Sequence, residues 1–348
     1  MGYVFKERIK YSEYIKFIKD YSFLSFMQED NWAKTKNNAN HLIVAVLNNN
    51  EVCAVAQIII NKRKCGNQFY IPNGYLLDFN NKTLLEFLTF NIKNLAKKYN
   101  AYVIDLYPNI STNNPNCNSI NHNLLELGYN FKDEYLDNTN NILIPLKRKN
   151  KKISKSELKR KYENKDFYLK RGIFFETSTN PNDIDRIDYL INDSKFDKEL
   201  IQNLFKNFEK RIRIVFSKLD LVFYANYLKE YTDNSLELMK INELLEISDE
   251  LDIGCALIIE PYNEKDTICE FIYNTEKESF ENLDIMNGLL YETMKICNEK
   301  GYSYIKVSNI NLDVKPYIER YQGTSIKYIG HYSIILNKFK HYINKKYR

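Results

Sequence analysis

The sequence contains few of the residues that interrupt regular structure or bind metals. Its 348 residues include only seven prolines and ten glycines. The six cysteines are scattered without a Cys-x-x-Cys pair, and the four histidines show no His-Glu-x-x-His spacing. We therefore expect reduced cysteines, with neither a disulfide framework nor a metal site. No apolar stretch reaches the length of a membrane span or forms the core of a signal peptide, so we expect a cytoplasmic protein.

Length and charge pattern indicate two domains and one basic segment. A chain of 348 residues is too long for one ordinary hydrophobic core. The formal net charge is only +5, but residues 147–161, KRKNKKISKSELKRK, contain nine Lys or Arg residues and a single Glu. This segment is either a solvated linker or a contact for phosphate groups, and the sequence leaves both interpretations open.

Hydrophobic periodicity predicts the same order of elements in both halves of the chain. In each half an antiparallel hairpin precedes a helix, at 82–98 and 283–300, and a strand follows that helix. The strands NILIPLK and IKYIGHYSIIL then complete the first and the second copy. Aligning Asn100 with Gly301 places the two halves in register, which indicates a repeated fold. We predict an α+β protein with mixed sheets covered by helices, divided into domains 1–148 and 149–348. The second domain begins with a basic entry segment, 149–172.

One strand in the first half is interrupted. The stretch Phe69–Phe79, FYIPNGYLLDF, suits a sheet at both ends but carries Pro72-Asn73-Gly74 in its middle. Proline cannot donate to a strand ladder, and glycine adds freedom that a strand does not need. We interpret this break as the edge of a cleft, where a substrate approaches the backbone.

The predicted order of elements resembles the GNAT acyltransferase fold. Ordinary members bind the pyrophosphate of acyl-CoA on a Gln/Arg-x-x-Gly-x-Gly/Ala loop before a helix, and neither half contains that loop. Two such copies without the loop resemble the Fem family of peptidoglycan aminoacyltransferases. The resemblance covers essentially the whole chain and rests on four segments in the family's order: QEDNWAKTK (Gln28–Lys36), YIPNGYLLDF, LAKKYNAYVIDLYP and YIGHYSIILN.

The resemblance implies an activity and its partners. Members of this family transfer an amino acid from aminoacyl-tRNA to the stem peptide of a lipid-linked peptidoglycan precursor (lipid II or its nucleotide precursor), forming the interpeptide bridge. No cofactor is needed, because the aminoacyl ester is already activated. The resemblance further implies a monomer in peripheral contact with the inner surface of the membrane. The long coiled-coil arm of the staphylococcal members is not expected, since residues 228–250 leave room only for a short connection.

The resemblance also assigns roles to individual residues. Asp105 and Tyr107 share one strand face; Tyr107 replaces the family's aspartate before proline, and Asp105 becomes the candidate base or orienter. In PYIERYQGT, Tyr317-Ile318 replaces the family's Phe-Lys, and Arg320 is the candidate cation for the developing oxyanion. The substrate-binding candidates are Trp32, Lys36, Tyr70, Asn73, Gly74 and Tyr317. The tRNA-binding candidates are Lys159, Arg160, Lys161, Lys170 and Arg171.

Two other functions stay open at this point. Because the aspartate and the Phe-Lys positions are altered, the chain is alternatively a Fem-like binding or regulatory protein without catalytic activity. A tandem acyl-CoA N-acetyltransferase is the third possibility, which the missing pyrophosphate loop disfavours.

Overall fold

The computed structural model describes residues 2–36, 40–132, 140–148, 151–152, 165–190, 197–276, 278–310 and 319–346. Lys159, Arg160, Lys161 and Tyr317 therefore lie outside the described residues. The elements of the first part of the chain, besides a 3-10 turn at Phe26–Gln28, are β1 (Val4–Lys6), α1 (Tyr11–Asp20), α2 (Asp30–Lys34), β2 (Asn40–Asn48), β3 (Glu51–Arg63), β4 (Gly66–Ile71), α3 (Lys82–Lys98), β5 (Ala101–Leu106), α4 (Cys117–Glu126) and β6 (Asn130–Lys132).

The rest of the chain repeats this mixture of strands and helices. Its elements are β7 (Asn140–Pro145), β8 (Lys147–Arg148), β9 (Lys151–Lys152), α5 (Lys165–Leu169), β10 (Ile173–Ser178), α6 (Ile184–Leu190), α7 (Lys198–Phe208), β11 (Ile212–Asp220), α8 (Leu221–Tyr231), α9 (Ser235–Leu245), β12 (Glu250–Ile259), β13 (Ile268–Glu276), α10 (Ile285–Lys300), β14 (Tyr304–Ile310), β15 (Thr324–Ile326), β16 (His331–Ile335) and α11 (Lys338–Lys346). Among the described residues, no helix is both long and apolar enough to cross a membrane.

The strands form two seven-stranded mixed sheets, one in each of two compact units. The first sheet has the order β1-β2-β3-β4-β5-β16-β6, and the second has the order β10-β11-β12-β13-β14-β7-β15. In each sheet one central pair is parallel, β4 with β5 and β13 with β14. The antiparallel pairs are β1–β2, β2–β3, β3–β4, β5–β16 and β6–β16 in the first sheet, and β10–β11, β11–β12 and β12–β13 in the second. The predicted α+β class with mixed sheets is therefore confirmed.

The division of the chain differs from the predicted boundary between residues 148 and 149. Unit 1 comprises residues 1–140, 261–267 and 325–348, and unit 2 comprises residues 141–260 and 268–324. The strand expected to complete the first copy, β7, belongs to the second sheet, and the strand expected to complete the second copy, β16, lies between β5 and β6. Strand pairing uses backbone groups common to all residues, so an apolar pattern identifies a strand without identifying its neighbour.

Alternating side chains give the sheet of unit 1 two different faces. On one face α3 packs through its apolar stripe, and Asn81 caps this helix by accepting a hydrogen bond from the backbone N–H of Leu84 (3.1 Å). On the other face α1 buries Tyr14 and Ile18 against Ala45 and Val55. Only part of this second face is apolar, and the polar side chains of β4, β5 and β16 occupy the rest of it.

A short helical hairpin lies between β11 and β12. α8 and α9 contain eleven residues each and follow one another between Leu221 and Leu245. The described residues therefore contain no long coiled-coil arm, in agreement with the prediction.

Candidate functional site

The strand β4 is interrupted where the sequence predicts, and a close contact requires a glycine at position 74. The strand ends at Ile71, and Asn73 adopts a positive φ of 48° while its side-chain amide donates to Ser25 Oγ (2.9 Å). Gly74 is buried, and a Cβ atom on it would lie 2.9 Å from Gln28 Nε2 and 2.8 Å from Ile71 Cγ2. The space predicted for an approaching substrate is thus occupied, next to Gly74, by the side chain of Gln28.

Gln28 fastens this break to the sheet. Its side chain is fully buried, its Nε2 donates to the Pro72 carbonyl, and its Oε1 accepts from the backbone N–H of Gln57 on β3 (3.1 Å). The segment from Gln28 to Trp32 therefore serves the break as well as the helix α2.

A buried carboxylate lies at the centre of the polar half of the second face. Asp105 on β5 is only 6% exposed, and it lies opposite Tyr70 on β4 and Ser333 on β16. Gln68 Nε2 donates to Asp105 Oδ2 (2.6 Å), and the Nε2 atom of His331 lies 2.9 Å from Asp105 Oδ1. Both carboxylate oxygens are therefore occupied by neighbours, which is the arrangement of an orienting group rather than of an open base.

Aromatic rings cover the histidine of this pair. The ring of Tyr107 stacks on His331 with centroids 4.3 Å apart and planes 7° apart, and Tyr70 meets Tyr107 edge to face at 5.4 Å. The side chain of His331 is 14% exposed. We call Gln68, Tyr70, Asp105, Tyr107 and His331 the polar cluster.

Sequence reasoning placed Asp105, Tyr107 and Tyr70 at the site but missed His331. This histidine lies in YIGHYSIILN, one of the four segments on which the resemblance rests. A titratable side chain within that segment was the available signal. The signal was hidden because β16 was assigned to the other copy, and only its pairing with β5 brings His331 to Asp105.

The second candidate region is the short helix α2. Trp32 is buried with its ring edge-on to Phe26 (5.2 Å, 89°), and Lys36 Nζ lies 4.3 Å from the centroid of the Trp32 ring. Trp32 Nε1 is buried and has no hydrogen-bond partner among the described residues. The structure thus brings Trp32 and Lys36, two of the substrate-binding candidates, together.

An ion-pair cluster holds the start of α2. Asp30 contacts His41 Nε2 (2.7 Å) and Lys34 Nζ (2.5 Å), and its backbone N–H donates to Tyr14 Oη (3.0 Å). Burial alone raises the pKa of the Asp30 carboxyl, but hydrogen bonds from His41 and Lys34 outweigh it, so the pKa is lowered from its ordinary value. The same pair raises the pKa of Lys34, chiefly through the hydrogen bond to Asp30.

Arg320 lies in unit 2 and has a carboxylate neighbour there. Its Nη1 atom is 3.7 Å from Asp284 Oδ2, at the residue that precedes α10. Lys170 is exposed and Arg171 is half-buried, both directly after α5. These three candidates belong to a different unit from Asp105 and Tyr107.

The repeat places an ion pair in unit 2 where unit 1 has Asp105. The sequence alignment of the two halves equates Asp105 with Lys306, and Lys306 lies opposite Glu270 in the parallel pair β13–β14. Lys306 Nζ and Glu270 Oε2 are 3.2 Å apart, and both residues are buried. The two copies therefore differ in chemistry at this position, and the histidine–carboxylate pair belongs to unit 1. Within the described residues, no group of three or more His, Cys, Asp or Glu residues is placed to hold a metal ion.

Part of the amino-acid sequence is similar to a known protein family and to a characterised enzyme. Residues 9–165 match the FemAB family. The lipid II:glycine glycyltransferase of Staphylococcus aureus is 26% identical to this chain over 184 residues, which represent 50% of this chain and 43% of that relative. The match thus spans less than half the length of this curated relative.

Solved structures show the same fold over nearly the whole chain. The crystal structure of FemX superposes with a TM-score of 0.75 at 17% identity and covers 99% of both chains. A tandem GNAT protein from the clavulanic acid biosynthesis pathway superposes with a TM-score of 0.55 at 7% identity and covers 95% of this chain and 98% of its own. The tandem GNAT-like fold is thereby confirmed. The resemblance to the Fem family is confirmed by the match of residues 9–165 to the FemAB family and by the similarity to the glycyltransferase.

Proposed function

We propose that this Fem-type chain moves an amino acid from aminoacyl-tRNA to an amine of the stem peptide of a lipid-linked peptidoglycan precursor. The similarity to a lipid II:glycine glycyltransferase supports the class of acceptor and the transfer of an aminoacyl group. The observation that carries the proposal is the contact between His331 and the buried Asp105. This pair provides the group that such a transfer needs most, a base held in one orientation.

The reaction requires removal of a proton from the acceptor amine. A lysine-type amine has a pKa of about 10.4 and is mostly protonated at neutral pH. When His331 Nε2–H donates to Asp105, its Nδ1 atom carries the lone pair that accepts this proton. The amine nitrogen then bonds to the ester carbonyl carbon, the bond to the tRNA ribose oxygen breaks, and that oxygen takes the proton from His331 Nδ1. The new amide nitrogen still carries one surplus proton, which the neutral Nδ1 atom accepts and passes to solvent.

Asp105 acts on this step through His331. With one carboxylate oxygen bonded to Gln68 and the other to His331, it orients the imidazole and stabilises the imidazolium that forms. Asp105 is therefore the positioning residue and His331 the base. Tyr107 fixes the plane of the imidazole by stacking on it.

The region around α2 suits an anionic part of the precursor. Lys36 supplies a cation above the Trp32 ring, and the buried Trp32 Nε1 is a donor that an acceptor atom of the ligand would satisfy. Tyr70 and Asn73 are further proposed contacts. In unit 2, Arg320 is the proposed cation for the oxyanion. The protein is proposed to act as a monomer in the cytoplasm, in peripheral contact with the membrane that holds the precursor.

The test combines a transfer assay with matched histidine variants. Purified protein is incubated with charged tRNA and lipid-linked precursor, and the added residue is measured by mass spectrometry. We expect His331→Asn to lower kcat roughly 10²- to 10⁴-fold, the usual contribution of a general base. His122→Asn is the control, because the side chain of His122 is 70% exposed.

Circular dichroism separates catalysis from folding. His331→Asn is expected to lose kcat while retaining the parent's circular dichroism spectrum. Full activity of Asp105→Asn would contradict the positioning role. Absence of any product from the parent would favour the binding or regulatory alternative.

A further inference from the structure

A surface pocket of unit 2 combines three aromatic rings with two cations. Its volume is about 350 Å³, and its lining residues are Phe167, Lys170, Arg171, Tyr227 and Tyr231. Phe167 lies on α5, the two cations follow this helix directly, and both tyrosines lie one turn apart on α8. We propose that this stacking pocket binds the single-stranded end of an RNA, an inference that rests on the proposed tRNA donor.

Arg171 is held in one orientation between two rings. Its guanidinium carbon lies 3.8 Å from the centroid of the Phe167 ring and 4.6 Å from that of Tyr227. Its Nη1 atom donates to the Phe167 carbonyl (3.0 Å). Cation–π contacts and this hydrogen bond restrict the side chain before any ligand arrives, which lowers the entropy lost on binding.

The positive charge of the pocket has no acidic partner within the described residues. Arg186, Arg213 and Arg320 of the same unit each contact a carboxylate. Neither Arg171 nor Lys170 contacts a carboxylate of the described chain. Two adjacent cations of this kind suit a phosphate, and a planar guanidinium matches phosphate oxygens in pairs.

The tyrosines supply a platform for nucleobases. Tyr227 stacks parallel to Tyr224 (6.0 Å, 8°) and contacts Tyr231 (5.3 Å, 31°), and Tyr231 is 65% exposed at the end of this row. Tyr224 Oη anchors the row by donating to Glu237 Oε1 (2.6 Å). Bases stack on exposed aromatic rings in proteins that bind single strands, and nearby Arg and Lys residues follow the backbone.

The helical hairpin α8–α9 also exposes apolar side chains. A membrane surface is therefore the alternative ligand to consider. Leu236 and Met239 on α9 are 74% and 60% exposed. However, residues 229–250 contain seven acidic residues and only two lysines. These carboxylates repel an extended anionic surface such as a lipid bilayer, which would have to lie along α9. A single-stranded end is small enough to contact only the stacking pocket, where cations and exposed rings are available for its phosphates and bases. The observations therefore favour RNA.

Fluorescence anisotropy with a labelled single-stranded RNA dodecamer tests the inference directly. Tyr231→Ala is expected to raise Kd roughly 5- to 100-fold, the usual effect of losing one stacked base. Tyr342→Ala is the matched control, since Tyr342 is 66% exposed on α11 of unit 1, and its Kd is expected to equal that of the parent. Arg171→Gln is expected to reduce the slope of log Kd against log salt by about 0.7, as for one lost phosphate contact on a single strand.

The outcomes separate this inference from the proposed function. If Tyr231→Ala binds RNA like the parent while transfer from tRNA proceeds, the stacking pocket is wrong and the proposed function survives. If RNA binding weakens in Tyr231→Ala but the parent transfers nothing, the pocket survives alone. Equal affinity for duplex RNA would overturn stacking as the mode of binding. If Tyr231→Ala no longer binds anionic vesicles but binds RNA like the parent, the pocket binds a membrane surface instead of RNA.

Discussion

Replacing Gln28 by alanine is expected to destabilise unit 1 by about 2–5 kcal/mol. The side chain is completely buried and joins two segments that are distant in sequence. Its removal takes away the donor to the Pro72 carbonyl and the acceptor for the Gln57 backbone N–H. Each buried polar group left without a partner costs about 1–3 kcal/mol, and the two costs overlap in part with relaxation of the cavity.

The single tryptophan makes the unfolding of unit 1 visible on its own. Trp32 is buried in unit 1, so its fluorescence reports this unit during urea unfolding even if unit 2 unfolds separately. Gln202→Ala provides a control, because Gln202 is exposed on α7. A free energy of unfolding for Gln28→Ala within about 0.5 kcal/mol of the parent, the range of ordinary surface changes, would refute the reasoning.

A double-mutant cycle sharpens this test. Gly74→Ala alone brings a methyl group 2.9 Å from Gln28 Nε2, and Gln28→Ala removes that neighbour. The cost of Gly74→Ala is therefore expected to be smaller in the Gln28→Ala background than in the parent. Additive free energies would show that the two side chains do not compete for the same space.

Two further predictions concern the other parts of the molecule. Because the folded-state pKa of Asp30 is lowered, the stability it contributes is complete above its ordinary value of 3.8 and is lost as the pH falls through the folded value. Asp30→Asn should thus be less stable than the parent at pH 7 and approach it below about pH 4 in urea titrations, and a pH-independent difference would speak against the pairing. In unit 2, Gly288→Ala would place a methyl group 2.1 Å from Phe175 Cζ, so a loss of about 1–3 kcal/mol in thermal unfolding is expected, and an unchanged Tm would contradict the packing.

The sequence predicts the repeated elements well because they are encoded locally. The amphipathic helix Lys82–Lys98 begins and ends at the predicted residues, because its apolar spacing and the strand that follows it are both encoded in neighbouring positions. The exchange of β7 and β16 between the sheets was not predictable in the same way. It depends on which sheet edge each strand joins, and either edge offers the same backbone groups.

The same contrast between local sequence patterns and strand pairing explains which residues of the polar cluster could be predicted. Asp105 and Tyr107 were identified because two positions on one strand must share a face. His331 required the neighbour of β5, which the sequence assigned to the other copy. The role of Gln28 at Gly74 likewise depends on a contact between segments 46 residues apart, so the glycine was interpreted as space for a ligand.

A competition between aminoacyl-tRNA and acetyl-CoA as acyl donors tests the proposed transfer most directly. The protein, lipid-linked precursor, a mixed pool of charged tRNAs and acetyl-CoA are incubated together, and the mass of the precursor is measured before and after treatment of the tRNA with ribonuclease. We expect a gain of one amino acid residue that ribonuclease abolishes and that His331→Asn strongly slows. A gain of an acetyl group, or an unchanged precursor with every charged tRNA, would contradict it.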